Sequence, residues 1–190
     1  MENYIKNYAE VIQSLIDTFE LKSLFILGEG EPDEHWAKFK IDRAFYNEVG
    51  TLIPKDKIQK QYLIFLNQSY NDKMSFHELF YDAKTHLNEG GFFLINENIS
   101  PKQDVSRGTY NILDYHKFCI HELRNYTNIR YLNFWSSGLI HDVRITIIWL
   151  DRSKIPNITW ESVEYISVHK LNSIYASTTD ELIKAIINND

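Results

Sequence analysis

Apolar positions along this chain follow two periods, and the clearest alternation between them runs from Tyr62 to Asn96. Tyr62 to Leu66 is a continuous apolar run, as a strand covered on both faces requires. Asn67, Gln68, Ser69, Tyr70, Asn71 and Asp72 follow as a polar loop. Phe76, Leu79, Phe80, Ala83 and Leu87 then recur at helical spacing. Ser75 stands three residues before Glu78, so each side chain can satisfy the other residue's amide in a capping box. Losing such a cap costs about 1 kcal/mol. Gly90 or Gly91 can supply the left-handed residue that ends a helix, and Phe92 to Ile95 is a second buried run. Strand, helix, glycine turn and strand make a right-handed βαβ unit, the building block of a parallel sheet.

The same reasoning extends outward. Tyr4, Ile5, Tyr8, Ile12, Leu15, Ile16 and Phe19 share one face of a helix expected over Glu2 to Phe19, which packs on a core rather than on a membrane surface. Ser23 to Leu27 reads as a strand that runs into Gly28, Glu29, Gly30 and Glu31. A helix is expected from Glu34 to Tyr46, and a short strand from Val49 to Ile53, just before Asp56. Pro101 and Gly108 punctuate a loop from Glu97 to Asn111, long enough to cover a site. A helix is expected over Leu113 to Asn125. Ile129 to Trp135 and Val143 to Leu150 are joined by so short a connector that they must be antiparallel neighbours. Thr159 to Val168 is read as holding a strand. Thr178 and Glu181 form a second capping box, before a short helix bearing Leu182, Ile183, Ile186 and Ile187. The expected fold is α/β: a Rossmann-like, mostly parallel sheet flanked by helices and ending in an antiparallel hairpin. Residues 1–152 form its main domain, and residues 153–190 a C-terminal extension packed on it.

Composition narrows the function classes. An apolar share of 44% with 24% charged residues is ordinary for a soluble globular domain. A net charge of −6, with no lysine or arginine run, argues against nucleic acid as a partner. Cys119 is the single cysteine, so no internal disulfide forms and a reducing, cytoplasmic setting is expected. The first residues lack the charged-then-apolar layout of a signal peptide, and no apolar run approaches membrane-spanning length. His116 and His121 are spaced so that they do not share a helix face, and neither His35 nor His77 has a ligand at familiar spacing, so no metal is expected.

The order of elements, with three particular stretches, resembles the class I S-adenosylmethionine-dependent methyltransferases. LFILGEGEPDE lies where that family has its first strand and glycine-rich cofactor loop. FHELFYDAKTHLNEGGFFLINEN resembles a later helix, its Leu-x-x-Gly-Gly turn and the next strand. IRYLNFW with DVRITIIWLDR resembles the closing hairpin. The resemblance covers Glu2 to Arg152. It implies S-adenosylmethionine as cofactor, with Gly28, Glu29 and Gly30 in its loop, Asp56 on the ribose hydroxyls, and Asn67 and Ser69 beside it at the end of a central strand. Three features depart from the family. No acidic residue precedes Gly28, the segment before Tyr62 is shorter by about a helix and a strand, and NQSYND lacks the Asn/Asp-Pro-Pro-Tyr signature of amino-methylating members.

The chemistry of the glycine loop discriminates among cofactors. Glu29, Glu31, Asp33 and Glu34 crowd it with carboxylates. Two like charges about 4 Å apart repel by about 4 kcal/mol at an effective dielectric near 20. A pyrophosphate would meet that repulsion, which argues against NAD, FAD and nucleoside triphosphates. A sulfonium and an ammonium group would be tolerated. The same carboxylates also suit a solvated first helical turn and its dipole. Tyr70, Asp72 and His141 are candidate proton acceptors by location, though no catalytic residue can be named. The resulting expectation is methyl transfer from S-adenosylmethionine to a small molecule or sugar. The alternative is a catalytically inactive methyltransferase fold serving as a binding or regulatory subunit with a protein partner. A third reading, a sugar-nucleotide transferase, would need a divalent metal between the carboxylates and a diphosphate.

Overall fold

The computed structural model describes residues 8–28, 37–46, 60–67, 80–81, 83–96, 123–136, 143–154, 158–163, 173–176 and 178–189. Among them, helix α1 is Tyr8–Phe19, and it turns into the first strand through Glu20, whose φ is 53°. The strands are β1 (Ser23–Gly28), β2 (Asp42–Tyr46), β3 (Gln61–Asn67), β4 (Leu87–Asn96), β5 (Ile129–Ser136), β6 (Val143–Leu150) and β7 (Ser173–Tyr175). Helix α2 is Thr179–Asn189. The strands form one seven-stranded sheet in the order β2-β1-β3-β4-β6-β5-β7. Strands β2, β1, β3 and β4 run parallel, and β6 is antiparallel to both β4 and β5. The parallel β3–β4 pair and the β5–β6 hairpin stand where the apolar runs placed them.

Both faces of the sheet are covered, so alternate residues along each strand enter different cores. Leu24, Ile26, Leu63, Phe92, Leu94 and Trp149 pack with Val11, Ile12 and Leu15 of α1 and with Leu182 and Ile186 of α2. Phe25, Ile64, Phe93, Ile95 and Ile148 pack on the other side with Phe80, Ala83, Leu87 and Trp160. Phe80 sits at the centre of that second core, with its ring edge-on to Phe93 at 5.8 Å and to Trp160 at 6.4 Å. Such aromatic pairs add to the area they bury.

Three expectations are corrected. Residues 37–46, expected to be helical, form a turn followed by β2, which pairs with β1 from Ser23↔Asp42 to Leu27↔Tyr46. An open sheet edge offers a complete ladder there, and tertiary pairing overrides local preference. Phe39, placed on that helix, is buried in the α1-side core from the turn. The expected helix over Phe76 to Leu87 ends earlier: residues 85 and 86 are a turn and Leu87 opens β4. Gly90 and Gly91 therefore lie inside a strand, as a bulge, rather than at a helix end. Leu123–Asn125, the described part of the expected helix over Leu113 to Asn125, is a 3-10 turn. Within the stretch from Thr159 to Val168 read as holding a strand, Trp160–Ser162 is a 3-10 turn, and residues 164–168 lie outside the described residues; Thr159 caps the turn by accepting from the Ser162 amide at 3.2 Å. Strand β7 was not foreseen. The expected strand at Val49 to Ile53, the Ser75–Glu78 cap, Cys119 and the loop from Glu97 to Asn111 lie outside the described residues.

Candidate functional site

In an open α/β sheet, ligands bind beyond the carboxyl ends of the strands, where successive connections leave in opposite directions. Here β1 connects to β2 on one side, and the chain then returns to place β3 on the other. The switch point is therefore between β1 and β3. The register there is Leu27↔Leu66 and Gly28↔Asn67, and the next strand continues it as Asn67↔Asn96. Gly28, Asn67 and Asn96 thus form one row across three parallel strands, each at its strand's last residue. The row continues into the hairpin as Asn96↔Ile145 and Ile145↔Phe134.

That row has a chemical logic. Below it, Ile26, Leu63, Ile64 and Ile95 are all buried. Gly28 brings no side chain to the switch point, and glycine is the residue type that permits close approach to backbone. Asn67 and Asn96 are carboxamide residues, with donors and an acceptor but no charge. Of the residues expected at the cofactor, Gly28 and Asn67 are brought together in register. Glu29, Gly30, Asp56 and Ser69 lie outside the described residues. Asn96 was read only as a strand end; its place in the row depends on pairing between distant segments, which no local pattern reveals. Among the described residues, no group of three or more His, Cys, Asp or Glu side chains is arranged to hold a metal ion. Likewise, no helix is long and apolar enough to cross a membrane.

The opposite, amino end of the sheet is closed by a polar lattice. Asp151 is 1% exposed; it accepts from Arg130 Nη2 and from the amide and hydroxyl of Ser153. The Arg152 guanidinium lies over the rings of Phe19 at 4.3 Å and Phe92 at 4.7 Å, and Nη2 donates to the Gly90 carbonyl at 2.6 Å. Trp160 Nε1 donates to the Asn88 carbonyl at 3.2 Å. Polar pairing between neighbouring apolar layers gives this end a structural role.

No family model and no curated protein matches the chain. Solved structures do match its fold. A protein of Klebsiella pneumoniae assigned as an O-methyltransferase superposes with a TM-score of 0.51 at 10% identity, covering 76% of this chain and 80% of that one. The O-methyltransferase TomG of Streptomyces achromogenes, solved with SAM, gives 0.47 at 10% identity over 75% and 79% of the two chains. Phosphoethanolamine N-methyltransferase 2 of Haemonchus contortus, solved with phosphomonomethylethanolamine and S-adenosylhomocysteine, gives 0.44 at 14% identity. The match covers 75% of this chain, which spans only 37% of the Haemonchus protein's length. The Klebsiella likeness and the parallel sheet closed by an antiparallel hairpin define a class I methyltransferase-like fold.

Proposed function

We propose that the chain binds S-adenosylmethionine at the carboxyl edge of β1, β3 and β4 and transfers its methyl group to a small molecule or sugar. The observation that carries this reading is the register of Gly28 opposite Asn67 at the switch point of a methyltransferase-like sheet. The residues fit the group. A glycine admits the ligand to the strand end, a neutral carboxamide residue stands beside it, and the sequence beyond Gly28 is acidic, which suits a cationic ligand.

When bound, S-adenosylmethionine supplies an electrophilic methyl on a positively charged sulfur. The chain's task is to hold the acceptor in line with that methyl and to exclude water, and positioning of this kind supplies most of a two-reactant rate enhancement. Asn67 and Ser69 would orient ligands by hydrogen bonding. A proton acceptor is needed only for an acceptor that loses a proton on methylation.

Calorimetric titration of the purified, folded chain with S-adenosylmethionine and S-adenosylhomocysteine tests the reading. Micromolar binding is expected, abolished by Gly28→Trp, which fills the strand end. Binding that survives Gly28→Trp unchanged moves the site elsewhere.

A second reading, a non-catalytic binding or regulatory subunit, is favoured by one feature. Only residues 47–60 separate β2 from β3, a shorter segment than its resemblance implies there. Folded protein that binds neither ligand, yet forms a stoichiometric complex with a protein partner by light scattering, would establish this reading instead.

A further inference from the structure

The β3–β4 pair is regular along its carboxyl half and irregular at its amino end. Gln61 pairs with Leu87 and Leu63 with Phe92, so Tyr62 stands opposite four residues, Asn88 to Gly91. Above this bulge the register runs without interruption from Leu63↔Phe92 to Asn67↔Asn96. The position of Asn67 against Asn96 is thus set by how many residues the bulge absorbs.

The bulge is anchored through Asn88 and Gly90. Asn88 Nδ2 donates to the Lys60 carbonyl at 3.2 Å, the Asn88 carbonyl accepts from Trp160 Nε1, and the Gly90 carbonyl accepts from Arg152 Nη2. Its two glycines have different reasons. Gly90 has a φ of 73°, a left-handed conformation that disfavours side chains, yet a Cβ there would meet nothing within 4 Å. A Cβ on Gly91 would lie 2.6 Å from the Tyr62 carbonyl oxygen and 2.9 Å from that of Asn88. Both contacts are backbone, so a strand must move to accept one. Gly91 is therefore the point where β4 presses directly on β3.

We propose that the Asn88–Gly91 bulge is a register lock, and that Gly91 is a positioning residue for the carboxyl edge of β3 and β4, where Asn67 and Asn96 meet. Its relevance to ligand binding rests on the functional reading above; its effect on register does not. The lock acts through the rigid ladder between Leu63 and Asn67, some four residues from the bulge to the edge.

The test compares Gly91→Ala with Gly90→Ala. Both remove a glycine, but only the first creates a backbone collision. In the ligand-free protein, interstrand amide–Hα NOEs report the pairing of Leu66 with Ile95 and of Asn67 with Asn96. Gly91→Ala is expected to shift or abolish them and to weaken S-adenosylhomocysteine binding about tenfold at equal folded fraction, the scale of a modest loss of preorganisation. Gly90→Ala is expected to lower stability while keeping both the NOEs and the affinity. Wild-type NOEs in Gly91→Ala, or equal disturbance by both variants, would overturn the lock. Should Gly91→Ala not fold, Trp160→Phe keeps an aromatic ring against Phe80 but removes the indole N–H that donates to Asn88, together with part of the buried ring system. It is then expected to speed amide exchange along Leu63–Asn67 about tenfold, and unchanged exchange there would overturn the proposal. If the wild type binds neither cofactor form, the functional reading fails while the NOE comparison still decides the lock.

Discussion

Asp151 shows how a single residue closes the amino end of the sheet. Its carboxylate oxygens accept from Arg130 and from the amide and hydroxyl of Ser153 among the described residues, and at 1% exposure water cannot replace them. Arg130 keeps 26% side-chain exposure and donates also to the Thr127 carbonyl at 2.7 Å. Asp151→Asn puts an amide donor or a neutral oxygen opposite the guanidinium. Breaking a buried pair costs about 3 to 5 kcal/mol, and the partly wet arginine places this loss near about 3 kcal/mol. A lower urea midpoint at unchanged slope would register it. Lys84 offers a pH-dependent counterpart. Its Nζ lies 4.1 Å from the Tyr81 ring centroid, and burial pushes its pKa below the ordinary lysine value of 10.5. The folded state therefore sheds this proton before the unfolded chain does. Below the lowered value, folding carries the cost of burying the charge. As pH rises from there toward the ordinary value, that cost disappears and stability increases. Lys84→Met should remove this rise, seen by comparing urea midpoints of the two proteins at neutral and at alkaline pH.

At the scale of elements, what could be read from the sequence was what four to ten neighbouring residues decide. The Thr178–Glu181 box is complete within one turn, and both of its bonds form, at 3.2 and 3.3 Å. Thr178→Ala should destabilise α2 by about 1 kcal/mol, measured by thermal or urea unfolding. The apolar runs of β3, β4 and the hairpin were equally legible, because burial on both faces leaves no polar alternation to confuse them. Strand β2 was not. Asp42–Tyr46 carries no strand pattern of its own, and what makes it a strand is the free edge of β1. The glycine pair was misread for a related reason. Gly-Gly after a helical pattern is a valid stop signal, but here the helix has already ended and Leu87 already pairs with Gln61. Leu87 is nonetheless buried with Phe80 and Ala83, so its burial was foreseen although its element was not. Likewise, Gly28 and Asn67 could be named from sequence as residues ending strands. Their register with Asn96 could not, because it is fixed by the bulge and the hydrophobic rows beneath it.

At the scale of the molecule, the question is whether residues 153–190 decorate a finished domain or complete it. A boundary after Arg152 is natural in sequence, since the methyltransferase-like resemblance stops there. The packing argues for completion. Strand β7 pairs in parallel with β5 from Asn133↔Ser173 to Trp135↔Tyr175, so it covers the outer side of the hairpin. Leu182 and Ile186 of α2 are fully buried in the same core as Val11, Ile12 and Leu15 of α1. Trp160 is 3% exposed and lies against Phe80 on the other face, while its indole pins the β4 bulge. Deleting residues 153–190 would therefore open both cores at once. Removing one buried leucine alone costs about 2 to 5 kcal/mol, whereas whole domains of this size are stable by about 5 to 15 kcal/mol. The loss of Trp160, Leu182 and Ile186 together, about 7 to 15 kcal/mol, is as large as that margin. The fragment 1–152 is expected to collect in the insoluble fraction, or to lack cooperative unfolding by circular dichroism, where the full chain unfolds in one transition. A soluble, cooperatively folded fragment would show instead that the extension is separable, and that the α1-side core closes without α2.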